Sequence, residues 1–474
     1  MIQGNGQGGK MHKAEAVAAV VLGAGKGTRM KSDMPKVMHP IGGRPMIRVL
    51  MDSIGELAPE RCVVVTAPGM QAVRDCVAPA DCVTQSPALG TAHAVAQARP
   101  VLEGFGGTVL VLYGDTPLVT AETMRAMVAR RRQADDPAVV VLGFCPEDPG
   151  AYGRLIGDDD GNLHRIVEYK DAGEAERAIR LCNSGVVAVD GRILFDLLDA
   201  VGNDNASGEY YLTDIVAIAR ERGRVCAYIE GAADEVLGIN SHLEQAAAEA
   251  IYQNRLREAA MRDGVTMIAP ETVFLSHDTR FGRDVVIEPH VVIGPGVRIG
   301  DKVHIKAFSH LEQAEIGEGA AIGPYGRLRP GAEIGQGAKI GNFVEVKKAV
   351  IEPGAKVSHL TYIGDARVGA GANIGAGTIT CNYDGYLKSF TDIGAGAFIG
   401  SNSSLVAPVK IGEGAIVGAG SVITHDVPAD ALAVTRAEEK RLPRWAARFR
   451  KRRQAEKDKA GGNGQGGNGQ GGNG

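Results

Sequence analysis

The sequence lacks any stretch of the eighteen or so uninterrupted apolar residues needed to cross a bilayer, and its start, MIQGNGQGGKMHK, has no apolar run of signal-peptide length. Cysteine is sparse and scattered: Cys62, Cys76, Cys82, Cys145, Cys182, Cys226 and Cys381 are odd in number and never spaced as CxxC, which excludes a disulfide framework and a zinc cluster. A reducing, cytoplasmic setting is the expectation. Charge of one sign is lacking too, since 52 Lys and Arg stand against 56 Asp and Glu for a formal net charge of -4. The chain has no global attraction for nucleic acid or an anionic membrane, so phosphate recognition must be local and small-molecule ligands are favoured.

At 474 residues the chain is too long for one ordinary core, and its texture divides it. Residues 1–10 and the Gly/Asn/Gln-rich end carry too few apolar groups to offset the entropy of ordering and read as disordered tails. From there to residue 240 short Val-rich strands alternate with helical stretches, which predicts a parallel sheet covered by helices on both faces, with ligands at the carboxyl ends of the strands. The loops after Leu22 and Leu112 are the places to look. Residues 241–263 read as a linker helix, because Ser241 and Glu244 form a capping-box pattern and Gly264 supplies a stop. The segment 437–474 is a basic then Gly-rich tail, with ten Lys and Arg between Lys440 and Lys459. Its Trp445 and Phe449 share a helical face and are expected to pack against the body.

Between residues 264 and 436 an aliphatic residue recurs at every sixth position: Ile287, Ile293, Ile299, Ile305, Leu311, then Ile316, Ile322, Leu328, Ile334, Ile340 and Val346, and so on to Ile423. That period is the signature of a parallel β-helix in which each flat rung buries one aliphatic side chain and three rungs close a coil. The steps Leu311–Ile316, Val346–Ile351 and Ile363–Val368 are one residue short and read as corner adjustments. CNYDGYLKSFTD interrupts the repeat and is expected to protrude.

The first loop, VLGAGKGTRM, is neither a Walker loop, lacking Gly-Lys-Ser/Thr, nor a dinucleotide fingerprint, since Thr28 stands where the third glycine belongs. What remains is a backbone cradle with the cations Lys26, Arg29 and Lys36, suited to phosphate but also compatible with a solvated surface. LGAGKGTRM with Pro35-Lys36, then Gln85 and Leu89-Gly90-Thr91, then Tyr113-Gly114-Asp115, resembles the sugar-1-phosphate nucleotidyltransferases. AYGRL, IVEYKD, CNSGV, GEYYLTD and GIN narrow the likeness to the bifunctional N-acetylglucosamine-1-phosphate uridylyltransferase/glucosamine-1-phosphate acetyltransferases, and the match runs in order from about Val17 to Arg436.

The resemblance implies an α/β Rossmann-like uridylyltransferase half and a left-handed β-helical acetyltransferase half, assembled as a homotrimer. Leu22, Gly23, Ala24 and Gly25 would hold the nucleoside side of UTP, with Gln85, Gly90 and Thr91 on the uracil. Tyr113 and Gly114 would line the nucleotide. Arg29, a catalytic residue of that reading, and Lys36 would face the phosphates, while Asp115 and Asn240 would hold Mg2+ as hard oxygen ligands. Gly153, Glu168 and Asn183 would contact the sugar. Asn240 alone could equally be structural. Gly23 departs from the alanine often found there, which matters little for a backbone contact.

RLRPGAEIG, GNFVEVKKA, SHLTYIGDA, NIGAGTITCNYDG and GSNSSLVAPV resemble the acetyltransferase half. Carried over, Arg329 and Lys347 bind the phosphate of glucosamine-1-phosphate, Tyr362 and Asn373 fix the sugar, and His359 is the base. Ala376, Asn382, Tyr383, Ser401, Ala419 and Arg436 line the acetyl-CoA side. The base is needed because an ammonium ion has no lone pair to attack a thioester, and histidine can take that proton near neutral pH. A zinc carbonic anhydrase on this fold needs three converging histidines, and His304 and His310, six apart, fall on successive faces instead. The product would be UDP-N-acetylglucosamine, which by resemblance feeds peptidoglycan and lipopolysaccharide precursor synthesis. A transferase for another sugar with a purely structural β-helix, and a non-catalytic β-helical protein, are the competing readings. An acetyl-CoA assay and a UTP-dependent pyrophosphate assay discriminate them.

Overall fold

The computed structural model describes residues 16–462 except Lys26 and Ala206, so both tails and the Lys26 cation lie wholly or partly outside the described residues. In the first half, seven strands form one sheet in the order Cys226–Gly231, Val139–Phe144, Cys182–Asp190, Thr108–Tyr113, Val17–Leu22, Arg61–Thr66, Asp81–Thr84. Alternate side chains point to opposite faces. Ala19, Val21, Val64, Leu110 and Leu112 bury against Ile47, Leu50, Ile54, Met124 and Met127 on one face. Val20, Val63, Val65, Val109 and Val111 bury against Val95, Leu194, Leu197 and Val216 on the other.

The expectation of an all-parallel sheet needs one correction. Cys182–Asp190 runs antiparallel between its neighbours, and it also carries a small hairpin, Arg154–Gly157 with Leu163–Val167, at its start. The register shifts between Asn183, paired opposite Gly143, and Val187, paired opposite Val141, so Ser184, Gly185 and Val186 bulge out of the ladder just after Asn183.

In the second half, each short strand pairs in parallel with the one a full coil away, seventeen or eighteen residues on: Val286 with His304, His304 with Ala321, Ala321 with Lys339. One face of the coil is a ten-stranded sheet, and a fourteen-stranded sheet wraps the other two. The aliphatic residues of the six-residue period stack inside as one continuous core. Pairing continues through the short steps, with Arg298 opposite Glu315 and Val350 opposite Arg367, so those steps shorten a corner and leave the coil unbroken. A second inner position on each rung, two residues before the first, holds Val285, Val291, Val297, Val303, Ala320 and Ala338. At one corner His290, Phe308, Tyr325 and Phe343 all take left-handed backbone angles and their rings stack 4.9 to 5.0 Å apart.

The helix between the halves, His242–Arg262, is capped by Ser241, whose hydroxyl accepts the Glu244 N–H. It is fastened to both cores. The Gly42 N–H donates to Glu249 at 2.8 Å and Arg255 donates to the Leu118 carbonyl at 2.7 Å on the sheet side. On the coil side, buried Gln253 exchanges bonds with the backbone of Leu275 at 2.7 and 2.8 Å, and Arg257 donates to the Val273 carbonyl at 3.0 Å. A second helix, Trp445–Gly462, does not fasten in this way. Trp445 stacks on Phe449 at 5.1 Å, with Arg452 and Arg453 over the Phe449 ring, and half of Trp445 stays exposed. The expected packing of this pair on the body is thus replaced by packing on itself, because so basic a helix offers no apolar face to bury.

Ile340 sits fully buried between Ile322 and Val357 of the adjoining coils. Ile340→Ala leaves a cavity that stacked backbones cannot close, and we expect it to cost about 2–5 kcal/mol. Denaturant unfolding should show the β-helix transition moving to lower concentration while uridylyl transfer is kept.

Candidate functional site

At the carboxyl ends of the strands Val17–Leu22 and Thr108–Tyr113 lies a cleft of about 300 Å³. Leu22, Ala24, Gly25, Lys36, Gln85, Gly90, Thr91, Tyr113 and Asp115 line it, as the motifs required. Val37, Ala88 and Ala94 also line it without a motif role, as does Glu209, which belongs to GEYYLTD but was given no role there. Gly23 does not offer its N–H to a ligand, because that group donates to the Val65 carbonyl at 2.8 Å and continues the sheet. A Cβ there would make only ordinary contacts, so alanine fits. The Gly114 N–H is likewise used, by the Leu22 carbonyl at 2.9 Å. Arg29 is exposed on a short helical turn outside the cleft lining.

Two distant motifs interlock at the cleft wall. Tyr210 donates its N–H to the Leu89 carbonyl at 2.8 Å, Ala92 donates to the Tyr210 carbonyl at 2.9 Å, and Leu212 donates to the Thr91 hydroxyl at 2.9 Å. Gly90 has φ of +113°, and a Cβ there would meet the Tyr210 carbonyl oxygen at 2.5 Å, so only glycine fits. Buried Gln85 donates to the Gly90 carbonyl at 2.9 Å, leaving its own carbonyl oxygen as an acceptor.

The Lys36 ammonium bridges two oxygens, Asp115 Oδ2 and Asn240 Oδ1, the latter at 3.1 Å. The Ile239 N–H donates to the Asp115 carbonyl at 2.8 Å and so draws the GIN segment to the strand end. Glu244 then accepts the Asn240 N–H at 2.7 Å, which makes the helix cap a support for Asn240. Beside this group, Gly153, Glu168 and Asn183 come together. The Asn183 N–H donates to the Gly153 carbonyl at 2.8 Å, and a Cβ on Gly153 would lie 3.4 Å from the Glu168 carboxylate. Burial pushes the Glu168 pKa up, helped by Asp171 and Asp214, and burial with the Asp115 charge pushes the Tyr113 phenol up.

On the β-helix, Arg329 donates to Glu345 at 2.7 Å, and Glu345 pairs in register with Tyr362. The charges of Lys388 and Arg329 push the Lys347 pKa down, so three cations crowd one corner. Lys388 comes from the protruding loop and was not legible as a site residue, because nothing in its spacing ties it to Lys347. The positive charge gathered there is offset by the Glu345 carboxylate on Arg329 and the Asp365 charge on Lys347. His359 ends the strand Lys356–His359 of the ten-stranded face, at the corner before Tyr362, with its Nδ1 2.5 Å from Asn342 Oδ1. Asn373 lies on the same ten-stranded face as His359, opposite Lys356 and Phe398.

Ala376, Ser401 and Ala419, three of the residues that the resemblance assigns to acetyl-CoA, fall into a column with Asn342 and His359. The Leu360 N–H bonds the Asn342 carbonyl, Gly377 bonds His359, Asn402 bonds Ala376 and Gly420 bonds Ser401, at 2.7 to 3.2 Å. Asn342, His359, Ala376, Ser401 and Ala419 therefore hold equivalent places on successive coils, with Arg436 alongside Gly420 at the end. Below His359 the neighbouring corner positions carry the stacked rings, and above it Gly377, Asn402 and Gly420, which opens a track about 14 Å long at the usual strand spacing. Buried Asn382 donates to Asp365, and Tyr383, half exposed, donates to the Gly385 carbonyl at 2.6 Å within the loop. His304 and His310 lie on different faces, and no group of three or more His, Cys, Asp or Glu among the described residues could hold a metal.

Residues 19–154 match the MobA-like NTP transferase domain family, and residues 278–313 and 390–425 match the bacterial transferase hexapeptide family of six repeats. The chain is 60% identical to the bifunctional protein GlmU of Paramagnetospirillum magneticum over 94% of its own length and 98% of that relative. It is 66% identical to the protein of the same name from Rhodospirillum rubrum, over 91% and 97%. The chain belongs to the bifunctional GlmU family. It is an enzyme with a nucleotidyltransferase half and a hexapeptide acyltransferase half, as the GlmU resemblance implied.

In this GlmU-family chain, Gly90→Ala forces the Tyr210 backbone away and opens the cleft. Uridylyl transfer should fall at least tenfold, about 1.4 kcal/mol, with acetyl transfer unchanged. Separate assays of the two activities on one preparation check it.

Proposed function

We propose that this chain makes UDP-N-acetylglucosamine at two sites, acetylating glucosamine-1-phosphate on the β-helix and then uridylylating the product in the cleft of the first half. At the β-helix, Arg329, Lys347 and Lys388 hold the phosphate and Tyr362 and Asn373 the sugar. Acetyl-CoA lies along Ala376, Ser401 and Ala419, with Asn382, Tyr383 and Arg436 as flanking contacts. The amine attacks the thioester carbonyl, a C–N bond forms and the C–S bond breaks. His359 Nε2 takes the amine proton, and the leaving thiolate is protonated in turn.

In the cleft, Leu22, Ala24 and Gly25 face the nucleoside, and Gln85 offers its free carbonyl oxygen to the uracil N–H. Gly153, Glu168 and Asn183 hold the sugar. A phosphate oxygen of N-acetylglucosamine-1-phosphate attacks the α-phosphorus of UTP and pyrophosphate leaves, so positioning and charge offset suffice. Lys36 and Arg29 bring positive charge to the phosphates. Asp115 and Asn240 would hold Mg2+, and their fit rests on the ammonium of Lys36 already bridging their oxygens. When bound, the ion supplies further positive charge against the phosphate oxygens. That bridge carries the reading, because it joins residues 79 and 204 positions apart at the mouth of a nucleotide-sized cleft.

A trimer is part of the proposal. Phe398, Ile416 and Leu432 stand exposed on the ten-stranded face and Ile379 and Val422 on the next, and such a patch is expected to be covered by another copy. Asn373 and Tyr362 lie on different faces of one chain, so a partner's face brings the sugar contacts together. Cytoplasmic residence fits seven unpaired cysteines, and no helix among the described residues is long and apolar enough to cross a membrane.

Purified protein given glucosamine-1-phosphate, acetyl-CoA, UTP and Mg2+ should yield UDP-N-acetylglucosamine. Asp115→Asn removes charge at constant size and should slow uridylyl transfer at least tenfold, roughly 1.4 kcal/mol, with acetyl transfer intact. His359→Ala should lose acetyl transfer by roughly 10² to 10⁴ and keep uridylyl transfer. Normal rates for either variant would remove that residue from its role.

A further inference from the structure

We infer that Asn342 is a positioning residue for acetyl transfer: its side-chain oxygen accepts the Nδ1–H of His359 and so keeps Nε2 unprotonated and turned to the substrate amine. The inference rests on the reading of His359 as the base. Asn342 belongs to the GNFVEVKKA motif but had no role there.

Several observations meet at this pair. Asn342 and His359 are register partners on adjacent coils, seventeen residues apart, so the fold fixes their backbones side by side. The Asn342 carbonyl takes the Leu360 N–H at 3.0 Å, and the His359 carbonyl takes the Gly377 N–H at 3.2 Å and the Thr361 hydroxyl at 2.7 Å. The histidine backbone is thereby held on both sides, and the ring makes a hydrogen bond through Nδ1 to Asn342 Oδ1 at 2.5 Å. A neutral imidazole carries one N–H, and the nitrogen that donates leaves the other with the lone pair. An amide oxygen accepts a hydrogen bond and carries no net charge. It therefore selects the Nδ1–H tautomer without the strong pull toward imidazolium that a carboxylate exerts, and the base can both take a proton and release it.

The test compares Asn342→Leu, Asn342→Asp and His359→Ala with the unaltered full-length protein. Acetyl transfer is measured from about pH 6 to 9, and uridylyl transfer and oligomer size are followed as controls of folding. Asn342→Leu, similar in size with no acceptor, should lower kcat for acetyl transfer roughly ten- to hundredfold, as loss of an orienting partner does elsewhere, with both KM values near normal. Asn342→Asp should stay active but move the acid limb of its pH profile upward by about one unit, because a carboxylate beside the ring favours the imidazolium. An Asn342→Leu enzyme at the normal kcat, or an Asn342→Asp acid limb superimposed on the unaltered one, overturns the inference. If Asn342→Leu does not fold, the Asn342→Asp pH profile decides alone. An active His359→Ala enzyme overturns the underlying reading instead, so the two failures are distinct.

Discussion

The stacking of each buried aliphatic residue on the one seventeen or eighteen positions away is the constraint on which the second half depends. The inner column is laterally close-packed, so the coils cannot slide against one another, and every outward side chain takes a fixed place in a column of its own. Columns, not sequence neighbours, are what the proposed acetyl site is built from. Asn342, His359, Ala376, Ser401 and Ala419 are brought into line by this register alone. Where the loop is inserted, Asn373 pairs with Phe398 twenty-five residues on, and the pairing on both sides is undisturbed. The extra residues are extruded at the corner where they put Lys388 beside Lys347.

The first half obeys a different constraint, the meeting of strand ends with segments from far along the chain. Asp115 ends a buried strand, while Asn240 arrives only because the Ile239 N–H and the capped helix hold it there. Since the same helix is bonded to Leu275 and Val273 of the coil, the metal-ligand candidate is braced by an element rooted in both cores. We propose that the uridylyltransferase unit includes this helix and does not end at residue 240, because Glu244 lies beyond that point. Chemical independence of the sites is compatible with this mechanical connection.

Much of this was legible from residue order. The six-residue period is visible because one large aliphatic side chain per rung is buried whatever the corner does, and the motif loops fall at strand ends where the cleft forms. The second inner position, held by Val285, Ala320 and Ala338, was missed because small residues there do not stand out among the many others in the turns. The direction of Cys182–Asp190 was not legible, since a strand buried on both faces has the same composition whichever way it runs. Gly23 read as a free donor because a glycine-rich loop does not announce where the ladder stops. The helix read as a linker because its polar residues Gln253 and Arg257 look solvated in sequence, yet both are buried on backbone carbonyls of the coil.

We propose that one chain carries two chemically separate sites, each able to work when the other is disabled, with N-acetylglucosamine-1-phosphate as the product of the first and the substrate of the second. Mixing the Asp115→Asn protein with the His359→Ala protein tests it most directly, with glucosamine-1-phosphate, acetyl-CoA, UTP and Mg2+ as inputs and UDP-N-acetylglucosamine as readout. Each protein alone should make little product. The mixture should make it at a rate approaching that of the unaltered enzyme, because each variant supplies the step the other lacks. A mixture no faster than the better single variant would contradict the account.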